Sequence, residues 1–551
     1  MSAATAPAWL GDPFDDGNPA GFAQAARRRR DGIAPDELIA AARRRGLALA
    51  YTPARWGGAL ADPVGSGRLV RQVVSRDLDA MTALLMHLTP MLVTGLLGSD
   101  DQRDRLVGRI AAGEDIGYAL SEEEHGSDLL AMRTAVEQAG DGWVLTGRKW
   151  FVGLAPTAAA FVVIARSGGR GPAAFSAYEV PADAPGVRIG AERPTDGFRG
   201  TRFADVEFDH VRLPGSALIG PAGAALEGVL RAQTVVRALS LPGAMAGADA
   251  DRLLLGAFAQ ERRGGATLGA DPLFRADVGQ VAGAMLLAEA ATEAALRTLG
   301  TRSSVAVLPA ALAKHTVVEA LTTAHGGIGR LLASRGVLVD GHWGMHTKVV
   351  ADSRVIGSID GSAVATLRAV AAFLPRCARA SREPGRPGRS GPAEPVAADP
   401  APSDFDPAAV AVVPAPVDPA LEGFLALGRS ALTVPGAERV ERLRAALAAH
   451  GEEAARIDQV PRAERPVVLV EFARRHAWLS SAAAAVIDAV DGRCGPLARA
   501  FGPHWLDAAL DHALSRVGAA GAAGPVERMR WGSALLDSST RGDDEGAIDG
   551  D

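Results

Sequence analysis

Little in this sequence would anchor it by cross-links, metal or a membrane. Two cysteines, Cys377 and Cys494, occur in 551 residues with no CxxC pair, so neither a disulfide framework nor a cysteine metal site is indicated. Neither charge sign dominates. A formal net charge of −6, with 22% charged residues, does not favour nucleic acid or an anionic membrane as the main partner. The opening residues, MSAATAPAWLGDPFDD, lack a basic segment followed by an apolar core, so no secretory signal is visible and a cytoplasmic protein is the simplest expectation. No apolar run is long and unbroken. The nearest approach, AMTALLMHLTPMLVTGLLG at 80–98, carries His87, Thr89 and Pro90 near its middle and predicts two buried helices, not a membrane span. A GxSxG elbow, a P-loop and an HExxH helix are also missing, and the 11 histidines show no metal-ligand spacing. No internal repeat is visible.

What is present is an ordinary globular balance, 48% hydrophobic, in a chain long enough for two to four domains. Residues 1–115 read as an α-helical domain. DELIAAARRRGLALA and SDDQRDRLVGRIAAG place apolar residues three to four apart, with Ser99-Asp100 as an N-cap. The basic runs Arg27–Arg30 and Arg43–Arg45 read as solvated helix faces. Between 116 and 218, short segments rich in Val, Phe, Tyr and Ile, separated by Gly, Pro and Asp turns, predict a small antiparallel β domain. Long Ala/Leu-rich stretches such as DVGQVAGAMLLAEAATEAALRTLG return helix over 219–378. A Pro/Ala-rich linker follows at 379–418, then an extra helical region at 419–525 and an acidic tail at 526–551. Helices, then strands, then helices make an α+β multidomain protein, not an alternating parallel-sheet fold.

Six segments carry a resemblance when taken in order. They are YALSEEEHGSDLLAMRTA (118–135), LTGRKWFVGLA (145–155), GFRGTRFADVEFDHVRLPGSALIG (197–220), FAQERRGGATLG (258–269), AHGGIGR (324–330) and ADSRVIGSIDGS (351–362). The set resembles the acyl-CoA dehydrogenases, a flavoprotein superfamily that includes nitroalkane oxidase, over roughly two thirds of the chain. The resemblance implies an N-terminal α-helical domain, a central antiparallel β domain and a C-terminal four-helix bundle, with the extra helical region outside the match. It implies FAD, bound without a GxGxxG turn, between the β domain and the bundle. It further implies a homodimer or homotetramer and an electron acceptor, either electron-transfer flavoprotein or oxygen. Carried over residue by residue, the cofactor side comprises Tyr118, Leu120, Ser121, Gly126, Ser127, Phe151, Val152, Gly153, Arg262, His325, Gly326, Gly327 and Ser362. The substrate side comprises Ser127, Arg237 and Gly361, and no metal is expected. Read without the resemblance, Gly326 and Gly327 suit a helix C-cap, Arg262 a solvated helix position, and His325, His342 and His346 structural or solvent-facing roles.

The implied activity is dehydrogenation of an acyl thioester, on CoA or on an acyl-carrier protein, to a 2-enoyl thioester. A carboxylate removes the α proton while the flavin accepts the β hydride. The α C–H is a very weak acid, so the base needs a desolvated setting and the thioester oxygen needs hydrogen bonds as enolate charge develops. Asp360 stands at the family's catalytic position in VIGSIDGS, followed by Gly361. Most members carry Glu there, and Asp is one methylene shorter. Nitroalkane oxidase uses Asp, so a flavin oxidase or monooxygenase is the alternative, and a degenerate member acting as a binding protein is a third reading. Migration of the base to the residue before Arg237 finds only Val236. The hydroxyl that usually bonds the flavin near N5 is missing at Gly153, and the arginine usually seven residues after the base is Leu367.

Overall fold

The structure, a computed structural model, describes residues 7–126, 128–263, 265–359, 361–380, 405–519, 521 and 523–540. An N-terminal helical domain contains α1 (Phe22–Asp31), α2 (Asp36–Arg44), α3 (Pro63–Val74), α4 (Thr82–Leu85), α5 (Leu88–Leu97) and α6 (Asp100–Ala111). The apolar run at 80–98 divides as expected, into α4 and α5, and Pro90 falls in the first turn of α5, where its missing N–H costs nothing. No helix among the described residues is long and apolar enough to cross a membrane. Ser99 caps α6 in a reciprocal capping box with Gln102, as the Ser-Asp start predicts. The arginine run on α1 is not wholly solvent-facing. Arg28 turns inward to pair with buried Asp77 at 2.8 Å.

The β domain holds β1 (Asp115–Ala119), β2 (Ala135–Ala139), β3 (Gly142–Val152), β4 (Ala158–Arg166), β5 (Phe175–Pro181), β6 (Val187–Glu192), β7 (Ala204–Leu213) and β8 (Leu218–Ile219). Its sheet runs β6-β7-β3-β2-β4-β5-β8 and is mainly antiparallel, except that β1 and, at one residue pair, β2 lie parallel to β4. That parallel edge returns the chain from the N-terminal domain to the sheet, leaving the residues after β1 beside the end of β3. The Ser121 carbonyl accepts from the Trp150 N–H there.

The bundle is built from α7 (Ala225–Ala259), α8 (Pro272–Thr301), α9 (Val307–Leu332), α10 (Gly344–Ser358), α11 (Ala363–Val370) and α12 (Leu374–Ala380). The extra region adds α13 (Pro419–Leu427), α14 (Ala437–Arg456), α15 (Arg465–Val490), α16 (Pro496–Phe501), α17 (Trp505–Arg516) and α18 (Pro525–Thr540). Two sequence boundaries need correction. The second half of the linker packs against the body: Phe405 and Val410 are buried, and Arg231 holds the carbonyls of Ala408 and Val410. The acidic tail begins after a helix, α18, not at 526. Its Trp531, Leu535 and Leu536 are buried, and that apolar stripe outweighs the local charge.

Glycines allow α18 to lie tight on α8. A Cβ on Gly279 would stand 1.9 Å from the Arg528 carbonyl oxygen, and one on Gly532 would stand 1.8 Å from that of Arg275. Backbone cannot yield as a flexible side chain does, so Gly279→Val is expected to destabilise the chain by about 3 kcal/mol or more through overpacking. Urea unfolding that shifts by less than about 1 kcal/mol would show that the two helices are not in this contact.

Buried histidines also lie between bundle and extra region. His315 on α9 and His512 on α17 flank the Trp478 ring of α15, with ring centroids 6.3 Å and 5.6 Å away. Burial, with nearby arginines, lowers both to about 4 from the usual 6.5. His450, stacked on Phe472, is lowered to about 2 by burial and by His476. The folded chain thus holds them neutral where the unfolded chain binds protons. Stability is full above about pH 6.5 and falls on acidification, by up to about 1.4 kcal/mol per pH unit for each histidine. The melting temperature should drop measurably between pH 7 and pH 5, and an unchanged value would contradict this burial.

Candidate functional site

An apolar cavity opens where all three family-like domains meet. Met81, Thr82, Leu85 and Met86 of the N-terminal domain line one side. Phe198 comes from the loop before β7, Ser240 from α7, and Ile356 and Ile359 from the end of α10. The hydroxyls are turned to backbone: Thr82 Oγ1 donates to the Asp79 carbonyl at 2.6 Å and Ser240 Oγ to the Arg237 carbonyl at 2.9 Å. The cavity wall is therefore greasy, with polar groups already satisfied.

Behind that wall lies a buried charge cluster. Lys348 is fully buried and touches Asp77 (3.1 Å), Asp79 (2.7 Å) and Asp352 (2.8 Å). Asp352 also accepts from the Phe198 N–H, and Asp79 from the Gly200 N–H. The N-terminal domain, the bundle and the β-domain loop are thereby tied at one point. Burial pushes the Asp79 carboxyl up to about 7 against the pull of Lys348, whose own pKa is raised well above normal by its carboxylate neighbours despite its burial.

The β-domain edge faces the same cavity through Met86. A Cβ on Gly153 would lie 3.1 Å from Met86 Sδ and 3.4 Å from Phe203 Cε1, so a side chain there would press on both. Phe151, at φ 57°, stacks on Phe203 with centroids 4.1 Å apart and on Trp150 at 5.1 Å. Ser121 is half-buried beside Trp150, and the Leu120 carbonyl is held by buried Lys149 at 2.9 Å. Glu122, which accepts from Lys149 Nζ and from the N–H groups of Arg133 and Thr134, is lowered to about 2 by Lys149 and these donors, against the effect of its own burial. Gly126, at φ 39°, makes an exposed turn with nothing within 4 Å of a Cβ. Tyr118 lies on β1, and Val152 faces the β-domain core.

On the bundle side, Arg237 and Gly361 lie close together: a Cβ on Gly361 (φ 79°) would stand 3.9 Å from Arg237 Nη2. Ser362 caps α11 by accepting from the Ala365 N–H, and Leu367 is buried in the core. Asp360 and Ser127 lie outside the described residues.

The remaining cofactor-side residues are engaged elsewhere. AHGGIGR forms no turn; it lies within the continuous helix α9. His325 Nδ1 bonds buried Asp251 at 2.7 Å, opposite His346 at 2.8 Å, so its ring is used to join helices. Gly327 is a packing glycine, its Cβ position 2.3 Å from Val281 Cγ1, while Gly326 is exposed. Arg262 donates to Gly265 within its own hairpin. An unbroken apolar stripe through α9 outweighs the two glycines, which read locally as a helix stop.

Residues 21–114 match the acyl-CoA dehydrogenase N-terminal domain, and residues 117–211 the middle domain. Over these residues, about a third of the chain, the protein is similar to the acyl-CoA dehydrogenase family. A probable acyl-CoA dehydrogenase of Mycobacterium leprae, fadE25, is 31% identical over 193 residues, covering 34% of this chain and 49% of that protein. The chain thus spans about half the length of the curated relative it matches. An acyl-CoA dehydrogenase from Bacillus anthracis, solved with FAD, has a TM-score of 0.69 and 17% identity over 98% of each chain, so the acyl-CoA dehydrogenase fold extends to the extra helical region. FkbI, a protein for biosynthesis of the methoxymalonyl extender unit of the Fk520 polyketide, is 27% identical over 62% of this chain and 93% of its own, with a TM-score of 0.53.

One feature of the acyl-CoA dehydrogenase part suits a flavin. Trp150 Nε1 is buried with no hydrogen-bond acceptor among the described residues, an unpaired donor next to Ser121 and Phe151. A ring carbonyl is the kind of acceptor it lacks. The sequence motifs led to the β-domain edge, but not to Met86, Phe203 or Lys314. Lys314 had a signal: the chain has three lysines, and this one interrupts the apolar stretch LPAALAKHTVV.

Proposed function

We propose that the protein is an FAD-dependent acyl-thioester dehydrogenase that converts an acyl-CoA or acyl-carrier-protein substrate to the 2-enoyl thioester. What supports this is the unpaired Trp150 Nε1 beside Phe151, together with the apolar cavity lined by Met81, Leu85, Met86, Ile356 and Ile359. The isoalloxazine would be held at that edge by Ser121, Trp150 and Phe151, and it supplies the hydride acceptor. Asp360 removes the α proton. A base in that role needs an apolar setting that excludes water to stay basic. Arg237, beside Gly361, supplies positive charge at the end of the loop where the thioester oxygen becomes electron-rich. The extender-unit role of FkbI supports a carrier-protein or biosynthetic substrate.

The flavin-oxidase or monooxygenase reading has its own observation. Gly153 carries no hydroxyl, and Met86 and Phe203 crowd its Cβ position, so nothing polar from that residue would guard a flavin held at this edge. In either reading the protein works in the cytoplasm as a homodimer or homotetramer, passing electrons to electron-transfer flavoprotein or to oxygen. One experiment separates the readings. The purified protein should be yellow, and an acyl-thioester panel should bleach it without oxygen. Slow reoxidation by air fits the dehydrogenase and rapid peroxide release the oxidase, while a colourless protein that binds no FAD leaves only a binding role.

A further inference from the structure

Among the described residues that line the apolar cavity, one comes from the β domain. Phe198, 2% exposed, joins Met81, Leu85 and Met86 of the N-terminal domain and Ile356 and Ile359 at the end of α10. Its ring is carried on a backbone that is held from several sides. Gly197 lies so close to α10 that a Cβ there would stand 2.4 Å from the Ala351 carbonyl. The Phe198 N–H donates to Asp352 at 2.7 Å and the Gly200 N–H to Asp79 at 3.2 Å, while the Thr201 carbonyl accepts from the Leu154 N–H at 3.1 Å. Asp196 is bridged by Arg354 at 3.0 Å and by Arg29 at 3.3 Å. Together these contacts keep Phe198 at φ 50° and ψ 42°, a left-handed conformation that a bulky residue adopts only where its surroundings impose it. The volume left inside the cavity is about 10 Å³, close to what one water molecule needs. An acyl tail must therefore displace part of the wall. Met81 and Met86 can yield, because an unbranched thioether side chain turns about several bonds. A ring on a fixed backbone cannot.

We propose that Phe198 is the specificity-determining residue of this cavity, its fixed ring limiting the protein to short acyl groups. This rests on the dehydrogenase reading above and adds the substrate class to it. The DGFRGT loop supplies the ring, and the buried Asp79, Lys348 and Asp352 supply its mount. The size limit is thus set jointly by the β domain, α10 and the N-terminal domain. One methylene too many in a closed apolar pocket costs about tenfold or more in kcat/KM, so the limit is sharp.

The test compares anaerobic flavin reduction by straight-chain acyl-CoA thioesters, from butyryl to decanoyl, in the wild type and in Phe198→Ala. Butyryl-CoA should reduce the wild type fastest. The variant should raise the decanoyl-to-butyryl ratio of rate constants by about a hundredfold at unchanged flavin content. A wild type reduced equally well across the series overturns the proposal. So does a variant in which both rates fall together and the ratio stays, which is what a purely structural role predicts. If Phe198→Ala does not fold, Phe198→Gly carries the same comparison, because glycine removes the ring and suits a φ of 50°. Benzene separates this inference from the functional reading, since its binding needs no chemistry. Without the ring, the cavity should be of the apolar kind, roughly 150 Å³, that stays dry and takes benzene. Saturating benzene should then raise the melting temperature of the variant and not that of the wild type. No rise in the variant means that the ring does not fill the cavity, and the inference falls whatever the reaction. A rise in the variant, with a wild type that no thioester reduces, refutes the dehydrogenase reading and the short-acyl limit with it.

Discussion

Asp360→Asn is expected to lower the rate of flavin reduction by an acyl thioester by about 10²- to 10⁴-fold, the usual worth of a positioned general base. The amide is nearly isosteric but cannot accept the α proton. Cofactor content and melting temperature should therefore stay close to wild type while the reductive step fails. The wall contributed by Met81, Leu85, Met86, Ile356 and Ile359 offers no proton acceptor, and Thr82 and Ser240 direct their hydroxyl protons to backbone carbonyls. Val236, before Arg237 on α7, is no substitute base. Reduction at the wild-type rate would remove Asp360 from the mechanism. Asp360→Glu probes the same geometry from the other side. A gain in turnover would mean that aspartate is too short for this substrate, and a loss that the longer acid does not fit it.

Lys348→Met should destabilise the fold by about 3–5 kcal/mol, the usual cost of breaking a buried ion cluster by deleting one partner. Three carboxylates surround the ammonium within 3.1 Å, and all four groups are fully buried. Arg28 would still pair with Asp77. Asp79 already has a raised pKa with Lys348 present. Without it, at least one more proton must be taken up at neutral pH, or the cluster must open. Against a typical total stability of about 5–15 kcal/mol, that loss is large. Urea unfolding followed by tryptophan fluorescence would measure it, and a change under about 1 kcal/mol would mean the cluster relaxes at little cost. Because Asp352 and Asp79 also hold Phe198 and Gly200, the variant should loosen the cavity wall as well.

These two residues mark what could be read from the chain alone and what could not. Period and turn chemistry suffice for local elements: the capping box at Ser99, the split at Pro90, and the run of strands from 115 to 219 all follow from neighbours a few residues apart. That Arg237 lies beside Gly361, across more than a hundred positions of sequence, came only from the packing of the bundle. Local patterns mislead at AHGGIGR, where two glycines suggest a stop but the packing of Val281 and Asp251 on either side of α9 carries the helix through to Leu332. They mislead again at 526, where charge hides the apolar stripe of α18.

By itself, then, the sequence determined the order of domains, the family-like β edge and the identity of the acid at 360, since each depends on local pattern. Only the tertiary structure decided which charges are interior. All three lysines, Lys149, Lys314 and Lys348, are buried, and each bonds a group that lies more than twenty residues away in sequence. A buried cation is set by what surrounds it in space, and no window along the chain contains its partners.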